Sequence, residues 1–535
     1  MASSTRSDVY AALPRRFNAA VRFVDHHVEN GRGDRVALVT EDRAITYARV
    51  HEEVNRVGHA LRALGVRQED RVALLLLDSP AFVYAFWGAM KIGAVPVPMS
   101  TLVTARDCAY ILEDTRAEVV IVSEALTDIV GVARSHVPTL RHVLVAGRAG
   151  PGEIPLDDLT AAQPTTLDPA PTTKDDVAFW LYSSGTTGIP KGVVHLQHDM
   201  VVCCEAFGRH VLEITERDRC FSVAKLFFAY GLGNALYFPF YVGASSVLFP
   251  GRPEPTAVFD MIARTTPTLF FAVPTAFAAL LRYVRDYPDL NLGLVRRCIS
   301  AGEPLPRSLY ERWLARFGRE ILDGIGSTEM ACTFISNVAG SVRSGSSGRV
   351  VPGYRARLVN EAGEEVDVGE VGALLVSGES AFAGYWNRHT RTSETLLGHW
   401  VRTGDQYVRD EDGYYWYAGR SDDMLKAGGI WVSPVEVENT LLEHEAVREA
   451  GVVGAADTDE LVKPIAFVVL ADGHVGTAEL ARELREFVRA RLAPYKCPRA
   501  IVFAGSLPKT ATGKIQRFLL REQAKGLAPI PGRSE

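Results

Sequence analysis

Apolar side chains recur along this chain with two periods, and the alternation between them predicts most of its elements. Residues 37–46 read as strand, turn and strand, with Glu41, Asp42 and Arg43 at the turn. Val50, Val54, Val57, Leu61 and Leu64 then fall at helical spacing, which predicts a helix opened by Thr46 as N-cap and stopped at Gly65. Residues 70–77 read as a buried strand, 80–92 as a helix and 94–97 as a strand, followed by a helix over 105–114 and a strand over 119–122. The grammar resumes with strands over 219–223, 245–248, 269–274 and 297–300, separated by helices over 232–242, 255–265 and 276–285. Such alternation predicts parallel sheets covered by helices. Residues 157–176, rich in Pro, Thr, Ala and Asp, predict an exposed linker.

From Gly345 the pattern shortens to strands and turns, notably 356–359, 373–377 and 414–418, which predicts a small β subdomain or barrel. Beyond Ser421 come a helix over 434–442 with Ser433 as cap, strands over 449–453 and 464–470, a long helix over 478–492 and a strand over 499–503. The length of 535 residues exceeds the point at which one core stops growing. The expected fold is therefore α/β. A large N-terminal domain, residues 1–421, would hold parallel or mixed sheets, covering helices and a β-barrel-like subdomain over about 345–420. A small mobile α+β domain would occupy 422–535.

Composition narrows the class. Apolar residues make up 47% and charged residues 23%, close to soluble globular averages, which argues against disorder and against a membrane or fibrous class. The net charge of −6 offers no overall basic face for nucleic acid. The seven cysteines are scattered without C-x-x-C spacing, so neither a disulfide framework nor a zinc site is indicated, and a reducing cytoplasm is the simplest home. Arg6, Asp8, Arg15 and Arg16 precede any apolar run, unlike a signal peptide or anchor, and no membrane partner is expected.

Candidate chemistry begins at Tyr182-Ser183-Ser184-Gly185-Thr186-Thr187-Gly188-Ile189-Pro190-Lys191-Gly192, which lies between two apolar, strand-like runs. Its hydroxyls, glycines and lysine suit a polyphosphate, although an ordinary Ser/Gly hairpin turn has the same composition. It is not a Walker A loop, because Lys191 is followed by Gly192 and β-branched residues and no Ser/Thr follows to meet Mg²⁺. Ser300-Ala301-Gly302-Glu303-Pro304 ends a strand at the position where α/β sheets place ligands, or is a plain turn. Asp323-Gly324-Ile325-Gly326-Ser327-Thr328-Glu329 would suit a nucleobase contact followed by a Mg²⁺ ligand, or is an ordinary loop. Asp405 could accept from vicinal hydroxyls and Arg420 could pair with phosphate, or each belongs to a surface ion pair. Gly428 and Gly429 follow, and a loop carrying Lys509 and Lys514 closes the series.

In this order the segments resemble the adenylate-forming superfamily of acyl-CoA synthetases, peptide-synthetase adenylation domains and luciferases. Residues 224–240 with Asp323-Gly324-Ile325-Gly326-Ser327-Thr328-Glu329-Met330 look like the benzoate-CoA ligase branch. The resemblance implies ATP, Mg²⁺ and coenzyme A as a co-substrate. A carboxylic acid would attack the α-phosphate of ATP, and CoA thiol would then displace AMP. By matching positions, Ser183, Ser184, Gly185, Thr186, Thr187 and Lys191 would wrap the β- and γ-phosphates, Thr328 would contact the α-phosphate, and Glu329 would hold Mg²⁺. Gly302, Glu303 and Pro304 with Asp323, Gly324 and Ile325 would flank adenine, and Asp405 with Arg420 would bind ribose. Lys514 would bridge carboxylate and α-phosphate, Asp422 would serve as hinge, and Gly428 and Gly429 would line the CoA channel.

The same resemblance implies an acyl pocket of Ala229, Tyr230, Gly231, Ala301, Gly326 and Cys332, a short flat slot suited to an aryl carboxylate. Where benzoate-CoA ligases of this type carry a histidine two residues beyond the methionine, this chain has Cys332, which leaves room for a ring substituent. Benzoate, anthranilate or a hydroxybenzoate is the expected acid, with the protein a monomer or homodimer. The rival readings are an enzyme loading an aryl group onto a carrier protein, and a non-catalytic nucleotide or acyl binder.

Overall fold

The computed structural model describes residues 8–184, 190–420, 423–427, 430–456, 462–509 and 515–525. Its centre is a nine-stranded sheet in the order Arg349–Val350, Thr333–Ser336, Ile321–Gly326, Arg297–Ser300, Leu269–Ala272, Arg219–Ser222, Ser245–Val247, Val36–Val39, Ala44–Thr46. Pairing is parallel from Ile321–Gly326 through to Val36–Val39 and antiparallel at both ends. A second, all-parallel sheet runs Val95–Pro98, Arg71–Leu75, Val119–Ser123, His142–Ala146, Ile154–Pro155. Its strands are nearly continuous Val, Ile and Leu, as expected of strands covered on both faces.

The helices form for local reasons legible in the chain. Thr46 caps Tyr47–Ala63, its hydroxyl accepting from the Arg49 N–H at 3.3 Å. The helix Pro274–Tyr283 starts two residues before the expected 276, because proline at the first helical position has its φ already set and lacks only an N–H that would be unpaired there. The helical run ending at Val242 likewise opens at Ala229, three residues before the expected 232.

The expected exposed linker over 157–176 is corrected by the structure. Leu156–Ala161 is a helix, and Leu167, Ala170 and Thr172 are buried. Leu167 packs so closely on the helix Tyr47–Ala63 that a Cβ at Gly58 would lie 2.3 Å from it. The Pro- and Thr-rich composition therefore marks an irregular strap pinned to the core by a few apolar anchors.

An antiparallel sheet of Arg355–Val359, Val371–Ser377, Trp400–Arg409, Leu396–Leu397 and Tyr415–Arg420 stands where the β subdomain was expected. The smaller C-terminal part packs Pro434–Leu442, Ala478–Arg489 and Arg517–Lys525 on the sheet Val447–Ala456, Val462–Leu470, Ala500–Phe503. Its two apolar clusters draw only on residues from Leu425 onward. Ser433 caps the first of its helices through the Glu436 N–H at 3.2 Å, as expected. All seven cysteines are buried and unpaired. Among the described residues, no helix is long and apolar enough to cross a membrane.

Candidate active site

A cleft of about 3950 Å³ runs between the large sheets and the C-terminal part. The hairpin Val177–Ser184 and Pro190–Leu196 lines it with Tyr182, Ser183, Pro190 and Lys191, and its register sets Ser183 opposite Lys191 and Tyr182 opposite Gly192. The short strand Gly384–Tyr385 joins this hairpin beside Val193 and Val194. Lys191 extends over the Tyr385 ring, with Nζ 3.9 Å from the centroid, and reaches to 3.8 Å from Glu329 Oε1. The Tyr385 hydroxyl donates to that same oxygen at 2.7 Å. Burial lowers the pKa of Lys191, against the opposing pull of Glu329. Burial raises that of Tyr385, and the neighbouring carboxylate adds to the rise.

Thr328 and Glu329 sit at the start of the single-turn helix Thr328–Met330, directly after Ile321–Gly326. Gly326 is required there, since a Cβ would lie 2.5 Å from the Cys332 carbonyl oxygen. Across the cleft, Asp405 and Arg420 are cross-strand partners, with Arg420 Nη1 at 3.2 Å from Asp405 Oδ1. Within the strand just before Asp405, Gly404 sits at φ +80°, a left-handed conformation that favours glycine, with the Arg420 guanidinium packed beside it.

Residues far apart in sequence thus share one wall system. Ser183, Lys191, Gly302, Glu303, Pro304, Asp323, Gly324, Ile325, Thr328, Glu329, Asp405 and Arg420 all line the cleft. The Ser183 and Ser327 hydroxyls are buried on it with no hydrogen-bond partner among the described residues. Such a surface of buried donors and cations fits a phosphorylated ligand. Of the expected acyl-pocket residues, Gly326 lines the cleft, whereas Ala229, Tyr230, Gly231, Ala301 and Cys332 are not on its wall. Tyr230 instead donates to the Ile299 carbonyl at 3.0 Å, and Cys332 is buried beside Cys203. Gly185, Thr186, Thr187, Asp422, Gly428, Gly429 and Lys514 lie outside the described residues, as does the side chain of Ser184.

The sequence pattern of the AMP-binding enzyme family matches residues 24–386, and that of the AMP-binding enzyme C-terminal domain matches 436–514. The chain belongs to the AMP-binding enzyme family. It is 47% identical over 513 residues to a 4-hydroxybenzoate–CoA/benzoate–CoA ligase of Rhodopseudomonas palustris, covering 96% of this chain and 95% of that one. It is 48% identical over 511 residues to a benzoate–CoA ligase of Thauera aromatica, covering 95% and 96%. Among solved structures, the anthranilate CoA ligase AuaEII in complex with anthranoyl-AMP superposes with a TM-score of 0.92 at 44% identity, covering 96% of this chain and 98% of that one.

Within this AMP-binding enzyme, Tyr385 and Arg517 were not legible as site residues. Tyr385 lies in the unremarkable run Ala383-Gly384-Tyr385-Trp386, and only its strand pairing brings it to Glu329. Arg517 Nη2 pairs with Glu438 at 2.6 Å, and its Nη1 lies 3.6 Å from Asp423, which Arg521 also holds at 2.7 Å. These contacts fasten the residue after the expected hinge to the C-terminal part.

Asp323 carries a stability prediction. Burial pushes its pKa up from 3.8 to about 8, outweighing the opposing pull of the nearby Ser300 hydroxyl and of the Leu305 and Gly324 backbone N–H groups. The folded chain therefore keeps a proton that the unfolded chain has released. The associated stability is fully present below 3.8 and is lost as pH rises through 8. Asp323→Asn removes the titration, so thermal melts without ligand should show the variant gaining on wild type from pH 4 to pH 8, by about a few degrees at the upper end. Parallel melting curves across that range would refute the assignment.

Proposed function

We propose that this protein is an aryl-CoA ligase that activates benzoate or a simple substituted benzoate, with anthranilate and hydroxybenzoates as the substituted candidates. The observation that carries the reading is the convergence of Lys191, Thr328 and Glu329 on one side of a single cleft and Asp405 with Arg420 on another. The high identity to aryl-CoA ligases over nearly whole chains supports the same class.

In the first half-reaction a carboxylate oxygen attacks the α-phosphorus of ATP, forming the aryl-adenylate as pyrophosphate leaves. In the second, the CoA sulfur attacks the acyl carbon, AMP departs with the C–O bond electrons, and the thiol proton goes to solvent or a nearby base. The carboxylate is a poor acyl donor because its leaving group would be oxide; AMP is a much better one. What opposes the first step is the approach of two anions, and the chain answers with fixed cations and hydroxyls in a partly dehydrated cleft. The Thr328 hydroxyl would contact the α-phosphate, Lys191 and Ser183 the outer phosphates, and Asp405 with Arg420 the ribose. Gly302, Glu303, Pro304, Gly324 and Ile325 would flank adenine, with Asp323 beside them.

Glu329 fits the role of Mg²⁺ ligand, since it lines the cleft and its Oε1 alone is engaged among the described residues, by Tyr385 and Lys191. A single carboxylate completed by substrate phosphates is a usual way to hold this ion, which when bound offsets phosphate charge. The division at about 421, with Asp422 as hinge, Gly428 and Gly429 toward CoA and Lys514 on the moving part, completes the reading. Buried, unpaired thiols and the nature of the co-substrates support work in the cytoplasm.

The deciding experiment is a panel of benzoates and medium-chain fatty acids assayed for AMP release with and without CoA. AMP and an aryl-CoA should appear together with at least one benzoate. A higher kcat/KM for fatty acids than for every benzoate would overturn the aryl reading, and ADP release would overturn the reaction class. Thioester formed only on a carrier protein's pantetheine would favour the carrier-loading alternative.

A further inference from the structure

Strand Pro190–Leu196 grips the Thr328–Glu329 turn at two points, and the second is a buried histidine. Lys191 and His195 stand four residues apart, so their side chains share one face of the strand. Lys191 holds the Glu329 carboxylate from 3.8 Å, at the mouth of the hairpin loop. His195, fully buried, brings Nε2 to 2.7 Å from the Thr328 carbonyl oxygen. That carbonyl only accepts, so Nε2 carries a proton, and a second proton lies between Nδ1 and the Asp199 carboxylate. Nδ1 lies 2.7 Å from Oδ2 of Asp199, also fully buried, and the imidazole stacks on Phe179 with centroids 5.0 Å apart. Asp199 is held in turn by the Leu196 N–H at 3.1 Å, while its Oδ1 is buried with no hydrogen-bond partner among the described residues.

The turn itself is held at every carbonyl from 328 to 331. Besides Thr328, Glu329 accepts from the Phe382 N–H at 2.8 Å, Met330 from the Ser380 hydroxyl at 2.8 Å, and Ala331 from the Tyr237 hydroxyl. Ala331 is at φ +53°, a left-handed conformation that a non-glycine residue keeps only when its surroundings enforce it. Three of these ties join the turn to neighbouring core. Only the His195 tie joins it to the strand that carries Ser183's partner, Lys191, and the hairpin loop.

Resting on the adenylation reading above, we infer that His195, oriented by Asp199, is a positioning residue for acyl-adenylate formation. It fixes the distance between the strand that carries Lys191 and the Thr328–Glu329 pair, so that the two surfaces stay in register. Without it the strand touches the turn directly only through the longer contact of Lys191, and otherwise through Tyr385, which pairs with Val193 and donates to the Glu329 carboxylate. A misplacement of about 1 Å between such groups lowers a rate by up to about a hundredfold.

The test compares His195→Leu, His195→Gln and Asp199→Asn in pyrophosphate exchange on protein quantified as folded by its melting transition. His195→Leu should lower kcat at least about twentyfold, with KM for the aryl acid within about threefold. His195→Gln, which keeps an amide donor near Nε2, should recover at least about fivefold of that loss. Asp199→Asn should lower kcat about fivefold with KM unchanged, because the ring keeps its donor but loses its charged anchor. Equal kcat in the Leu and Gln variants, or wild-type kcat in folded His195→Leu, overturns the inference and leaves a merely structural histidine. If the Leu variant does not fold, wild-type kcat in folded Asp199→Asn overturns it as well. Absence of exchange in wild type with every benzoate instead overturns the adenylation reading.

Discussion

Lys514→Ala is expected to lower aryl-adenylate formation by at least about a hundredfold while thioester formation from preformed aryl-AMP and CoA stays within about threefold of wild type. The electrostatic demand explains the split. Only the first half-reaction brings a carboxylate against a polyphosphate, so only that step needs a cation between them, whereas a neutral acyl carbon meets the thiol in the second. Lys514 is outside the described residues, but Lys509 and Ile515 on either side of its segment line the cleft and bridge one another as antiparallel partners. The other lysine of that loop, Lys509, is occupied, with Nζ 2.8 Å from Glu449 Oε2. Lys191 is committed to Glu329 and Tyr385, so Lys191→Ala should be milder, about tenfold on exchange. Single-turnover assays of each half-reaction separate these outcomes. Equal loss of both halves in Lys514→Ala, or a larger loss in Lys191→Ala, would reverse the division of labour.

Much of this arrangement was written locally. The helix Pro255–Thr265 and the strand Arg297–Ser300 fall at their expected bounds, because proline at the first helical turn and a short apolar run are signals that need no partner. Asp405 and Arg420 could be named from their motifs, and the register of two neighbouring strands then places them side by side. What could not be read was anything set by pairing between distant strands. Tyr385 reaches Glu329 through a two-residue strand, and the Phe382 N–H reaches its carbonyl, with nothing in either composition to announce it. The exposed linker expected over 157–176 failed for a related reason, plainest in the strap over 162–176. Its polar content reads as loop, while three buried side chains decide where it runs.

The nature of the Glu329 site leads to the second large effect. Its carboxylate collects one donor from Tyr385 and one distant cation from Lys191, fewer partners than a carboxylate can take, in a cleft where desolvation already lowers the lysine pKa. A structural ion pair would close both oxygens; this one leaves capacity facing the cleft among the described residues. Glu329→Gln keeps the shape and can still accept from Tyr385, so folding should be little changed. It removes the charge, and adenylation should fall by roughly 3 kcal/mol, about a hundredfold in kcat, with KM for the aryl acid nearly constant. Tyr385→Phe removes only one charge-assisted hydrogen bond and should fall by about tenfold, since such bonds contribute about 1.5–3 kcal/mol and the carboxylate stays. The ordering separates two causes. If the tyrosine variant lost as much as the glutamine variant, orientation of the side chain would be the larger effect; if the glutamine variant kept wild-type kcat, the charge of Glu329 would have no part in the reaction.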